Sequence, residues 1–140
     1  MVHIRLASGA DARELQRLND LFNGINANTF ATIRESLETN VKEVVCVAVC
    51  KDGLSGFCCA QINASMCYPA PYAEITELFV LKERRRQGIG RLLLKYMESE
   101  LAKRGVSHLH ILTRKDNFAA RSLYRSSGFV ETPEMLLDKD

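Results

Sequence analysis

The chain has 140 residues, 46% hydrophobic and 26% charged, with a net charge of +2. That is the size and balance of one globular domain with a single core, expected to span residues 1–140. No apolar run approaches the ~20 residues needed to cross a bilayer. Met1 to Ala7 lacks the basic-then-apolar layout of a secretory leader, so a cytoplasmic protein without membrane association is expected.

The elements follow in order. Val2 to Leu6 reads as a short strand. Asp11 to about Ile25 carries Leu15, Leu18, Leu21 and Phe22 at helical spacing. Thr29 can cap a second helix with Phe30, Ile33 and Leu37 on one face. Val44 to Val49 is an apolar strand, turned by Lys51-Asp52-Gly53 into a second from Leu54 to about Met66. Tyr68-Pro69-Ala70-Pro71 breaks the chain before a strand from Ala73 to Leu81. Gly88 to Arg104 is a long helix striped by Ile89, Leu92, Leu93, Tyr96, Met97 and Leu101, stopped by Gly105. Val106 to Thr113 is a strand, Asn117 to Ser127 a helix, and Gly128 to Leu137 a last strand, interrupted by Pro133 and hence partly at an edge. The order β-α-α-β-β-β-α-β-α-β is that of an α/β sheet with helices on its faces.

Charge is distributed unevenly. Residues 1–77 hold 6 basic and 9 acidic side chains, and residues 78–140 hold 13 and 8. An acidic half beside a basic half suits a cationic ligand next to an anionic one, or simply two differently solvated surfaces. Cys46, Cys50, Cys58, Cys59 and Cys67 form no C-x-x-C pair and have no nearby histidine. They read as reduced, buried small hydrophobes rather than metal ligands. His108 and His110 alternate on one strand without carboxylate or cysteine company in the sequence, so no metal site is expected.

Glu74 to Leu94 is the most informative segment. A strand ends at Leu81, a charged stretch follows, and Gly88-Ile89-Gly90 opens the long helix. Glycines let the backbone approach a ligand, and the unpaired amides and dipole of a helix N-terminus attract a phosphate. Arg84, Arg85, Arg86 and Arg91 add positive charge. A P-loop is excluded because Arg91-Leu92 follows Gly90, and a dinucleotide fingerprint because Leu93 stands where a third glycine is needed. The arginine triplet lacks any accompanying nucleic-acid-binding signature, so no nucleic-acid partner is expected.

What remains, Arg85-Arg86-Gln87-Gly88-Ile89-Gly90, resembles the pyrophosphate motif Gln/Arg-x-x-Gly-x-Gly/Ala of the GNAT superfamily (general-control-related N-acetyltransferases). Asn117-x-x-Ala120-x-x-Leu123-Tyr124-x-x-x-Gly128-Phe129 is similar to that family's second signature, and the resemblance covers essentially the whole chain. It implies a mixed six- to seven-stranded sheet flanked by four helices, and transfer of an acetyl group from acetyl-CoA to an amine.

The resemblance also implies roles. Backbone amides from Gln87 through Gly88, Ile89 and Gly90 to Arg91 would hold the coenzyme pyrophosphate. Phe79, Val80 and Leu81 would pair with its pantetheine arm, and an N–H near Leu78 would face the thioester oxygen. Tyr124 matches the general acid, though a core tyrosine would look the same. Asn117 matches a contact to the coenzyme arm and can also cap its helix. The positions fourteen and twelve residues before Gly88, where some members carry a general base, are Glu74 and Thr76. Strand alternation puts Glu74, Thr76, Leu78 and Val80 on one face and Ile75, Glu77 and Phe79 on the other. Glu74 is therefore the first choice of base, Glu77 the second if a bulge swaps the faces, and a site without a dedicated protein base stays open.

The acceptor side would be built from residues 18–40 and the loop Cys67 to Tyr72, with Asp20, Glu35, Glu38 and Glu74 attracting a cation and Tyr68 and Tyr72 as lining. A small-molecule amine, polyamine or aminoglycoside-like, is the leading expectation. A protein N-terminus or lysine, and a non-catalytic acetyl-CoA sensor, stay open. A homodimer is common in the family and is left open here.

Overall fold

The computed structural model describes residues 1–140. Its elements are β1 (His3–Leu6), α1 (Ala12–Asn23), α2 (Phe30–Thr39), β2 (Glu43–Cys50), β3 (Gly53–Asn63), β4 (Tyr72–Val80), α3 (Ile89–Lys103), β5 (His108–Ile111) and α4 (Phe118–Ser126). Local chemistry sets several boundaries. Asp11 joins β1 to α1 by a fork with Arg5, both bonds 2.8 Å, and accepts from the Ser8 amide at 2.8 Å. Thr29 caps α2 as expected, its hydroxyl accepting from the Thr32 amide at 3.1 Å.

The strands form one sheet in the order β1-β2-β3-β4-β5. Neighbours from β1 to β4 are antiparallel, and β4 and β5 are parallel, with α3 carrying the chain between them. The sheet thus has five strands, not six or seven. Gly128–Leu137 forms no strand, and Val130, Met135, Leu136 and Leu137 are exposed. Pro133 has no N–H to give a ladder there.

Each face of the sheet carries its own core. On one, α3 lays Ile89, Leu93, Leu94, Met97 and Leu101 over Val44, Cys46, Ala48, Cys58, Ala60, Ala73 and Ile75. The small strand residues let the helix come close, and each buried α3 side chain contributes about 2 kcal/mol. On the other, Leu15 and Leu18 of α1 pack on Val47, Leu54, Phe57, Cys59 and Phe79, with Ile33 and Leu37 of α2 alongside. Phe22, itself exposed, stacks on Phe79 at 5.0 Å between centroids. Cys46, Cys50, Cys58 and Cys59 are buried free thiols, as expected; Cys67 is exposed.

One irregularity shapes the site. The β3–β4 register shifts between Cys59 and Ala60, which pair with Glu77 and Ile75, so Thr76 is the extra residue and its hydroxyl donates to the Cys59 carbonyl at 3.3 Å. The bulge resets the alternation. Ile75, Leu78 and Val80 all pack on the α3 side and Phe79 on the α1 side. Glu74 and Glu77 therefore share the α1–α2 face, correcting the opposite-face assignment that simple alternation gives.

Candidate active site

The β4–β5 pairing covers only Tyr72–Ile75 against His108–Ile111, while β4 continues to Val80. β5 ends at Ile111, opposite Ile75, so the edge of β4 over residues 76–80 has no neighbouring strand and is open to an extended ligand, apart from the Val80 carbonyl, which accepts from Arg85. Gly56 makes the β3 side of this stretch tight: a Cβ there would come within 2.6 Å of the Phe79 carbonyl oxygen.

The open edge of β4 leads to the start of α3. The N–H groups of residues 86–91 find no acceptor within the chain, the first helical bond being Leu92 N–H to the Gly88 carbonyl at 3.0 Å. Gly88 (φ 82) and Arg86 (φ 64) both take positive φ, which costs a non-glycine residue about 1 kcal/mol. Unpaired amides at a helix start with a positive dipole end form an anion cradle. A Cβ on Gly88 would meet nothing within 4 Å, leaving its approach open.

The arginines divide in their use. Arg84 pairs with Asp52 at 3.5 Å. Arg85 donates from Nε to the Val80 carbonyl at 2.9 Å and lies over the Phe79 ring. Arg91 donates to the Ser126 hydroxyl at 2.8 Å, tying α3 to α4. Arg86 is exposed beside the cradle.

On the α3 face, α4 brings Tyr124 against the core that includes Cys58 and Leu78, with its ring edge-on to Phe129 at 6.0 Å. Burial, with the nearby Cys58 thiol adding to it, pushes the phenol above its usual pKa and keeps its proton in place. Asn117 caps α4, its Oδ1 accepting from the Ala120 amide at 3.2 Å.

On the opposite face lies a cavity of about 420 Å³ between α1, α2 and strands β2 to β4. Its floor is Val45, Phe57 and Cys59; Asn19, Asn23, Asn28 and Ser36 line it; Glu43 and Glu77 supply its charge. Burial raises the pKa of both carboxyls above the usual glutamate value. Gln61 and Ser36 hydrogen-bond Glu43 and offset part of its shift, and Asn23 does the same for Glu77.

Glu74 lies beyond this cavity, its Oε1 3.0 Å from His110 Nε2, and Tyr72 stacks on that imidazole at 5.6 Å. Asp20 borders a separate shallow hollow with Arg13 and Arg17, Glu38 is paired with Arg34 at 2.8 Å, and Tyr68 is exposed. The structure therefore brings Glu77, Leu78 and Tyr124 to one stretch of β4 and leaves Asp20, Glu38 and Tyr68 outside it. Asn19, Asn23, Asn28 and Ser36 fall within residues 18–40, the expected acceptor side, whereas sequence reasoning missed Glu43. The available signal was Glu43 itself, a lone carboxylate opening an otherwise apolar strand.

An open strand edge beside an anion cradle suits an extended ligand with a phosphate end, as an acyl-coenzyme A is, and the comparisons agree. The Acetyltransferase (GNAT) family model matches residues 14–129, and the chain belongs to that family. It is 32% identical over 124 residues to an uncharacterised N-acetyltransferase of Chlorobaculum tepidum, covering 87% of this chain and 74% of that one. Over 59 residues it is 44% identical to the ribosomal protein bS18-alanine N-acetyltransferase of Escherichia coli K12, 42% of this chain and 40% of that one. Among solved structures, AAC(6')-Iy in complex with the bisubstrate analog CoA-S-monomethyl-acetylneamine superposes with a TM-score of 0.86 at 18% identity, covering 100% of this chain and 98% of that one. The protein is an acyltransferase of the N-acetyltransferase type. No helix is long and apolar enough to cross a membrane.

Proposed function

We propose that this enzyme moves an acetyl group from acetyl-CoA to a primary amine of a small cationic molecule, polyamine or aminoglycoside-like. The observation that carries the acceptor class is the cavity on the α1–α2 face, whose charged lining is Glu43 and Glu77 with no Lys, Arg or His. Acidic lining of this kind attracts an ammonium group.

In this reading the free amides of residues 86–91, with the exposed Arg86 guanidinium, hold the pyrophosphate of acetyl-CoA. Phe79 and Val80 lie along its extended arm, the Leu78 N–H polarises the thioester carbonyl, and Asn117 stands beside the arm at the start of α4. Leu81, expected to join them, is held within the chain, its N–H donating to the Ser55 carbonyl at 2.8 Å and its carbonyl accepting from the Arg84 N–H at 2.9 Å. The amine must lose a proton and the departing thiolate must gain one. Glu77, one residue from Leu78 and lining the cavity, takes the proton as nitrogen bonds to the acetyl carbon. Tyr124, on the other side of β4, gives its hydroxyl proton to sulfur as the carbon–sulfur bond breaks. Glu74, held by His110 on the same face as Glu77, is the alternative base.

A second reading, acetylation of a protein N-terminus, has the likeness to the bS18-alanine enzyme in its favour. Thiol release from acetyl-CoA across polyamines, aminoglycosides, amino acids and short peptides tests the choice. Turnover with the first two classes is expected. Turnover with peptides alone would replace the proposal by the second reading, and coenzyme binding without any turnover would indicate a sensor.

A further inference from the structure

The cavity holds two carboxylates where one would serve as a base. Glu77 is next to the open edge of β4, but Glu43 is on β2, two strands away. Val45 pairs with Cys59 and Cys59 with Glu77, and Glu43 is two residues further along β2. Two strand spacings and two residue rises put the Cα atoms of Glu43 and Glu77 about 12 Å apart. Both side chains line the one cavity, so a short alkyl chain is the spacer that suits two ammonium groups held there.

Glu43 lacks a cation. Gln61 Nε2 donates to it at 3.0 Å and Ser36 Oγ approaches at 3.5 Å, both neutral groups. Between the two carboxylates lies Cys59, a buried thiol. Burial and the charges of Glu43 and Glu77 both hold that thiol protonated, so it adds no charge and is no nucleophile. A half-buried carboxylate without a positive partner carries an uncompensated desolvation cost, which a ligand ammonium would remove.

We infer that Glu43 is a specificity-determining residue that holds a second ammonium group of the acceptor, making the preferred substrates diamines and longer polyamines that present one amine at Glu77 and another at Glu43. This rests on the small-amine reading above, and the experiment separates the two. Putrescine and aminobutanol have the same length but differ by one charge. The wild-type enzyme is expected to favour putrescine in kcat/KM by about tenfold, the value of one desolvated charge pair in a binding site. Glu43→Gln, which keeps the size of the side chain, is expected to bring that ratio close to one. Calorimetric titration of putrescine without coenzyme is expected to show about tenfold weaker binding to the same variant.

Equal kcat/KM for the two amines in the wild type would overturn the inference, as would an unchanged ratio in a folded Glu43→Gln protein. Should neither amine be acetylated, the small-amine reading fails by itself. Calorimetry then decides the inference alone: putrescine binding that depends on Glu43 upholds it, and absence of putrescine binding overturns it.

Discussion

Gly90 and Leu123 meet where the anion cradle touches α4: a Cβ built on Gly90 would come within 3.1 Å of Leu123 Cδ2. The glycine at the third position of the turn thus fits one helix against the other. It couples the coenzyme end of the site to the helix that carries Tyr124, a coupling reinforced by Arg91 and Ser126.

Replacing Gly90 by valine should drive Leu123 and α4 outward while the sheet stays folded. KM for acetyl-CoA is expected to rise about tenfold, equivalent to ~1.4 kcal/mol, together with a fall in kcat. Steady-state kinetics with varied acetyl-CoA measures both. Unchanged constants in a folded variant would show that helix spacing has no part in the site.

Tyr124→Phe removes the hydroxyl and keeps the ring against Phe129. Loss of a general acid costs about 10²-fold or more in kcat, while KM for acetyl-CoA should barely move. Because burial holds the wild-type phenol above its usual pKa, its deprotonation should not limit the rate until the pH exceeds the ordinary tyrosine range. Unaltered kcat in the variant would remove the acid role.

The carboxylates of the cavity give a pH signature. The folded pKa of Glu43 and of Glu77 is raised above the unfolded value. The stability this contributes is present below the unfolded pKa and is lost as pH rises through the folded pKa. At neutral pH, Glu43→Gln should therefore melt no lower than the wild type, and any advantage should vanish towards pH about 4. With Glu77 as the base, kcat/KM should fall on the acid side with an apparent pKa above the usual glutamate value. Glu77→Gln should abolish that limb, whereas retention of the limb in Glu77→Gln and its loss in Glu74→Gln would move the role to Glu74.

Asp11 behaves in the opposite sense. Its hydrogen bonds from Arg5 outweigh the cost of burial and lower its pKa. Its stabilisation is present above the unfolded pKa and is lost as pH falls through the folded pKa. Asp11→Asn is expected to cost roughly 2 kcal/mol at neutral pH, and less in acid. Urea midpoints at the two pH values check this.

The parts of the site readable from sequence are those set by short-range chemistry. Gly88 and Gly90 must follow a strand and start a helix, Asn117 must precede α4, and Tyr124 falls one helical turn beyond Ala120; all lie within contiguous stretches. Thr76 was misread because its bulge is set by Cys59 and Ala60 on another strand, some sixteen residues away. Glu43 was missed because its meaning comes from Glu77 across two strand spacings. Residues 128–137 are expected to add a last strand interrupted by Pro133, but they form none; only Phe129 packs, against Tyr124, and the rest stay exposed, with Pro133 unable to donate. Within the arginine cluster, Arg84 is tied to Asp52 and Arg91 to Ser126, partners that lie outside the contiguous stretch and are set by the fold.

The central claim, acetyl transfer to a small cationic amine beside the open edge of β4, is tested most directly by one competition. Acetyl-CoA is offered to the enzyme with equal concentrations of a polyamine and an alanine-initiated peptide, and the acetylated products are quantified by mass spectrometry. Acetyl-polyamine as the dominant product is the predicted result. Acetyl-peptide as the dominant product would contradict the account.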